Sequence, residues 1–493
     1  MIRKLSVAAA TLLGATALAS AASAQNFRQL AEQDLTTIHA TLRDNHPAAV
    51  VGGQASDNFR SWLDAGLADA RGRIGQVNSG DSHAYLLRYY ARGFHDPNIV
   101  VDPSYEELPV WFGTGWPGVA TRWDGANYVV SYVKPGVRGA PPLGAVLVSC
   151  DERPVAEMVE QRLDGWEGDM TFEADRIRTA PYILWNRNNP FGGGVPANCK
   201  FKVGRRDRDF KMTNQIGDLA GMEAAYRATV YTPGPQPLAV ETVNGRPWIH
   251  VHTLNDSADW RGFFTAVEAV VPAMQAQGGV IDLRGAAGRS YNPTQRGYGL
   301  INRIWTPEFA VSRQPAASDF TYRATAGNRQ WYADTLGRMQ GDAEFAQQNP
   351  AAIEETQAII AAMDEALAAG QTHFTLASRS AAPDTGAPNP VQGQIIVLTD
   401  SGCGPNCLYT VDLLSRLPNV RLAGQVTPPD SVFIEQTTMR LPSNYADLSY
   451  GHKAWLSRQR PNGQPFTPAE GLAYTGNLAD DTAVRAWVAT LFQ

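Results

Sequence analysis

The hydrophobic run from Gln394 to Leu398 breaks into Thr399-Asp400-Ser401-Gly402-Cys403-Gly404-Pro405. This turn concentrates residue types suited to nucleophilic chemistry. A hydroxyl or thiol between a buried strand and a helix start lies beside helix-terminal N–H groups, which hold the negative charge that develops on an oxyanion in acyl transfer. Ser401 and Cys403 are the candidate nucleophiles. Each also has a plainer use: a serine in a turn satisfies backbone groups, and Cys403 is placed to be half of a disulfide. Asp400 is suited to cap the turn, while Asp430 and Glu435, past the next strand, are placed to orient a base.

Histidine is the usual base near neutral pH, and the chain has eight. His83 and His95 fall in or just after the first helices, and His452 adjoins Lys453. His250 and His252 alternate on one strand, an arrangement open to a metal, but no third ligand lies nearby in sequence, so a structural role is expected and no metal site is assigned. Lys453 is a candidate base if desolvated, and a surface lysine otherwise.

The elements that must position these groups follow from periodicity. Residues 26–42, 57–70 and 79–91 carry apolar residues at helical spacing, the last with Ser and Asp at its start as caps. Short strands broken by Gly and Pro follow at 98–101, 128–133 and 144–149, the last entering a helix near Val155 through a polar turn. Residues 171–240 are aromatic and polar, with too little periodicity to assign. Beyond them come a strand at 248–253, a helix at 260–276, and a buried-type strand, 279–283, that ends in the Gly-rich turn Arg284-Gly285-Ala286-Ala287-Gly288. Such a turn presents backbone N–H groups to a ligand. A helix over 350–370 and a polar loop over 381–390 precede the strand 394–398; Pro405 suits the first turn of a helix running to Leu417. The strand 420–423 and a helix over 480–491 complete an alternating α/β pattern.

The first 24 residues read as a secretory leader: Arg3 and Lys4, an apolar run over 5–19, and Ala22-Ser23-Ala24 as a small-x-small cleavage site. The apolar run is shorter than the roughly 20 residues that span a bilayer. A secreted, periplasmic protein without a membrane span is therefore expected. In an oxidising compartment the four cysteines admit three complete pairings. Cys150 with Cys199 and Cys403 with Cys407 is the favoured one; a four-cysteine zinc site and a Cys403/Cys407 redox pair are the alternatives. The 493 residues allow roughly three domains. At 44% hydrophobic and 18% charged the chain is too apolar for disorder and too lightly charged for a coiled coil. A formal charge of −6 gives no footprint for nucleic acid. No Gly-rich dinucleotide or Walker motif is present, so no cofactor is assigned.

Taken together, these segments resemble the S41 peptidases, the tail-specific or C-terminal processing proteases and their tricorn-like relatives. The resemblance rests on Asp44-Asn45-His46-Pro47, Arg92-Gly93-Phe94-His95-Asp96, the stretch from Leu143 to Val155, Asp282-Leu283-Arg284-Gly285 with Gly288, and Leu398-Thr399-Asp400. Leu441-Pro442-Ser443, Lys453-x-Trp455 and Arg458-x-Arg460-Pro461-Asn462 extend it toward the C-terminus. It implies an α/β multidomain protein. Residues 25–97 would form a helical N-terminal domain, 98–170 a β-rich PDZ-like segment, 171–240 an unassigned aromatic and polar segment, and 241–493 a crotonase-like S41 core with its C-terminal helix. Oxyanion or cleft positions fall at Gly285, Gly288 and Gly404.

The departures from the family pattern carry as much information. Where the resembled branch reads Cys-x-Ser-Ala-Cys, the serine falls on Pro405, between Cys403 and Cys407. Where it reads Phe-x-Asp-Gly-His, the histidine falls on Asn98. The lysine base of the processing proteases falls near Asp430. Proline has no hydroxyl, and an amide is no base at neutral pH. The expectation is a catalytically degenerate S41-like protein retaining an interdomain cleft for a peptide, a polypeptide terminus or a small ligand. The alternative is a secreted serine hydrolase, a peptidase or esterase, with Ser401 as relocated nucleophile and His95, Lys453 or Asp430 in support. A structural or envelope-scaffold role is a third class, and it predicts a large exposed apolar patch.

Overall fold

The computed structural model describes residues 26–103, 113–255, 257–287, 293–313, 319–377, 385–458 and 460–492. The expected leader and Gly288 lie outside the described residues, as does part of the expected loop over 381–390.

A five-stranded sheet carries the turns of interest. Its order is Leu238–Val243, Arg246–Val251, Gly279–Asp282, Ile395–Thr399, Val420–Gly424; the first pair is antiparallel and the others are parallel. Parallel strands are covered on both faces, which is why Gly279–Asp282 and Ile395–Thr399 are continuous buried runs. Ile395 and Val397 face one core with Phe263, Val267, Leu300 and Val411 of the helices Trp260–Gln277, Pro293–Ile304 and Pro405–Leu414. Ile396 and Leu398 face the other, with Val484 and Val488 of Asp481–Thr490.

A second sheet is antiparallel: Val100–Pro103, Ala446–Ala454, Phe320–Arg323 and His373–Leu376, with Phe433–Arg440 also pairing Ala446–Ala454. The N-terminal helices, residues 26–45, Gln54–Arg73 and Gly80–Arg92, bury Leu35, Ile38, Phe59 and Tyr90 in one core with Phe433, Leu448 and Tyr450 of this sheet. Gly80–Arg92 begins with a reciprocal capping box between Ser79 and Ser82. The strand expected at 98–101 belongs here: Val100–Pro103 pairs with Ala446–Ala454 rather than with the strands that follow it in sequence.

Those strands build a third sheet, Val119–Trp123, Tyr128–Val133, Val146–Cys150, Asn198–Val203 and Arg206–Lys211, with Arg153–Pro154 at its side. The segment 171–240, which lacks readable periodicity, supplies the last two strands and the helices Glu173–Thr179 and Leu219–Arg227. Cys150 and Cys199 face each other across this sheet and form a disulfide, and Cys403 and Cys407 form a second. Among the described residues no helix is long and apolar enough to cross a membrane. The chain is thus a mixed α/β protein of several helical and sheet regions.

Candidate functional site

The two strand-end turns meet because their strands are neighbours, with Asp282 paired to Leu398. Gly285 sits at φ +64, and a Cβ there would come within 2.7 Å of the Pro233 ring, so glycine is required on both counts. Its N–H donates to Asp400 Oδ1 at 2.8 Å, and Gly402 N–H donates to the same oxygen at 3.0 Å. Gly404 N–H donates to Ala286 O at 2.9 Å. The amides of Gly285 and Gly404, expected to face a ligand, are therefore engaged within the turn pair. Asp400 is 2% exposed, and burial pushes its carboxyl up to about 6 against the lowering effect of these N–H bonds.

Ser401 is 3% exposed. It lines, with Asp400, Tyr231 and Gln425, a cavity of about 10 Å³, the size of a single water. Two of the groups proposed to support it bond elsewhere: His95 Nδ1 lies 2.5 Å from Asp169 Oδ2, and Lys453 Nζ 2.8 Å from Glu435.

Pro405 is exposed at the first position of Pro405–Leu414, where its missing N–H is one the helix does not use. Cys403 and Cys407 flank it as a disulfide, which removes both thiolates. Pro405, Tyr409 and Asp412 share one helix face by spacing. That face turns toward the segment after the sheet: Arg460 Nη2 reaches Asp412 at 2.9 Å and Asp430 at 2.6 Å, and Arg458 Nη1 also reaches Asp430 at 2.6 Å. Asp430 is thus held by two guanidinium groups.

Asn98 is tied to the second sheet. Its Nδ2 donates to Phe433 O at 2.8 Å, and its carbonyl accepts from Gln436 Nε2 at 3.1 Å. Between Phe433 and Gln436 lies Glu435, at φ +60 and 39% exposed in its side chain. Glu435 Oε2 receives Lys453 Nζ and, at 3.2 Å, the Tyr332 hydroxyl. Burial alone would raise Glu435, but Lys453 and His452 hold it down at about 2. For Lys453 burial favours the neutral amine, yet the Glu435 carboxylate overrides this and raises it above the ordinary ammonium value, so Lys453 stays protonated. His452, 1% exposed, is pushed down to about 4 by burial and packs at a tilt against Trp331 at 4.1 Å and edge-on to Tyr332 at 4.9 Å.

The alternating histidines acquire a third group through sheet pairing. His250 is in register with Asp282 on the next strand, and one ligand atom each of His250, His252 and Asp282 lies within 4.8 Å of the others. However, the Asp282 carboxylate already accepts Arg284 Nε at 2.9 Å, Arg284 Nη2 at 2.6 Å and Trp248 Nε1 at 3.2 Å. Burial would raise Asp282, and Arg284 instead holds it well below the carboxylate range. A guanidinium in the place of a cation makes this a buried ion-pair network. His83 is likewise paired with Asp34 at 3.0 Å.

The structure therefore brings Asp400, Ser401, Gly285 and Gly404 together at one pair of strand ends, and pairs Glu435 with Lys453 on the second sheet, to which Asn98 is tied through Phe433 and Gln436. His95 joins neither group. Tyr332, Arg284 and the Arg458/Arg460 clamp were not assigned from sequence; only Arg458-x-Arg460, two guanidinium groups one residue apart, carried a local signal.

No protein-family model matches the sequence, and no curated protein matches it. Among solved structures the chain is similar to mature CPAF, with a TM-score of 0.55 and 14% identity over 94% of this chain and 98% of that one. Mature CPAF complexed with lactacystin gives a TM-score of 0.55 and 14% identity over 94% and 99%. The chain shares with mature CPAF a fold that extends over nearly the whole of both chains.

Proposed function

We propose that the protein is a catalytically degenerate S41-like protein that binds a peptide or small ligand in an interdomain cleft beside Pro405, Asn98 and Lys453. The reading rests on the sequence resemblance, and on it the PDZ-like and crotonase-like assignments, the domain division and the exported, periplasmic location also depend. The observation that carries it is Pro405. Acyl transfer needs a nucleophile, a base and free oxyanion donors in mutual reach. The family serine position has no hydroxyl, the family histidine position is an amide, Lys453 is held protonated, and the Gly285 and Gly404 amides are engaged. Glu435 supports a binding role: a non-glycine residue in the left-handed region is strain of the kind stored at ligand clamps.

The test is labelling of the purified chain with a serine-directed fluorophosphonate from pH 6 to 9. No labelled serine is expected. Labelling abolished by Ser401→Ala would show an active hydrolase with Ser401 as nucleophile.

A further inference from the structure

A cavity of about 400 Å³ includes none of Ser401, Pro405, Asn98 or Lys453 in its lining. It lies between the end of the helix Gly80–Arg92 and the turn that follows Val155–Arg162. Its wall is a continuous aromatic stack: Tyr89 on Trp166 at 4.6 Å, and Trp166 on Phe191 at 4.6 Å. Trp62 meets Tyr89 edge-on at 6.1 Å and lies across Gly93, where a Cβ would overlap its ring.

Arg92 lines this cavity, and its Nη1 is buried without a hydrogen-bond partner. Among the described residues no ion pair forms at Arg92. The carboxylates that act on it are committed elsewhere, Glu167 to Tyr85 and Arg187, and Asp175 to Arg178. Burial lowers the guanidinium to about 10, which leaves it charged at neutral pH. A buried guanidinium nitrogen left without a partner is costly, and a native structure that keeps one calls for a partner. Beside it His95, its Nδ1 on Asp169 and its backbone at φ +51, offers Nε2 as a second donor. The Asp169 hydrogen bond raises His95 and favours the imidazolium.

We propose that this cavity binds a small monocarboxylate with a flat apolar body, the carboxylate on Arg92 and His95 and the body against Tyr89, Trp166 and Phe191. The planar guanidinium fork matches a carboxylate. The acids in the same lining, Glu160, Asp164 and Asp169, set the class: they oppose a dianion such as phosphate more strongly than a single negative charge.

The probes are 3-phenylpropionate, its neutral amide and inorganic phosphate, titrated into the purified chain and read by calorimetry and tryptophan fluorescence. The acid is expected to bind saturably at one site, with the amide at least about tenfold weaker. Arg92→Met is expected to weaken the acid by at least about tenfold while leaving the amide unchanged. It should also melt no lower than the parent chain, because it removes a buried polar nitrogen that has no partner. Trp166→Leu is expected to weaken acid and amide alike. Equal affinity for acid and amide, unchanged acid binding in Arg92→Met, a lowered melting point or failure to fold of that variant, or no saturable acid binding up to about 20 mM would each overturn the proposal. Phosphate binding as tightly as the acid would overturn the ligand class.

Discussion

The N–H of Gly285 donates to Asp400 Oδ1 at 2.8 Å, and this bond joins the turns at the ends of two neighbouring parallel strands. It closes the turn pair on itself and engages the Gly285 amide within the turns. It also buries a carboxyl with two N–H groups on one oxygen.

The Asp400 carboxyl titrates at about 6 in the fold against an ordinary 3.8. The folded state therefore keeps a proton that the unfolded chain has lost. This stabilisation is complete below pH 3.8 and is lost as pH rises through about 6. Asp400→Asn keeps an oxygen for both N–H groups and removes the titration. Denaturant melts from pH 3.5 to 7.5 are expected to show a flatter profile for the variant, with a gain of up to about 3 kcal/mol at neutral pH.

His452 acts with the opposite sign. Its folded value, about 4, lies below the ordinary 6.5, so protons bind preferentially to the unfolded chain and stability falls as pH drops from 6.5 through 4. Neither of its buried ring nitrogens has a hydrogen-bond partner, and Glu435 Oε2 lies 3.7 Å from Nε2. His452→Phe, which keeps an aromatic ring against Trp331 and Tyr332, is expected to remove this loss, worth up to about 3 kcal/mol at pH 4. A profile unchanged in that window would place the acid sensitivity elsewhere.

The two disulfides differ in the chain they enclose, with sequence separations of 49 and 4. Loop-closure entropy then assigns about 4 kcal/mol to Cys150–Cys199 and about 2 kcal/mol to Cys403–Cys407. Urea unfolding of the paired alanine variants is expected to rank them in that order.

Replacing Glu435 with Gln leaves the Lys453 ammonium, whose side chain is 12% exposed, without its counter-charge. The variant is expected to be destabilised by a few kcal/mol. Lys453→Met with Glu435→Gln should recover most of the loss. A double variant no more stable than the single one would show that the pair is not the source.

The part of the fold readable in sequence is the part where burial is one-sided in meaning. Gly279–Asp282 and Ile395–Thr399 read as strands because both of their faces are covered and nearly every residue is apolar. The helix Gly80–Arg92 was legible from its cap. Phe433–Arg440 was not, since its burial alternates irregularly and it carries Glu and Gln at its bend. With it went the pairing of Glu435 and Lys453, which exists only because two unread strands align. Arg206–Lys211 hides for another reason: as a charged sheet edge it reads as a loop, and such charge protects an edge from unwanted pairing. The third group beside His250 and His252 comes from sheet register rather than from sequence proximity, so no spacing rule finds Asp282.

The most direct test of the account is to incubate the purified chain with a defined library of unmodified peptides and to quantify, by mass spectrometry, both the peptides retained and any new termini. Retention of intact peptides with no new termini is predicted. New termini that disappear in Ser401→Ala would contradict the account and make this protein a hydrolase with a displaced nucleophile.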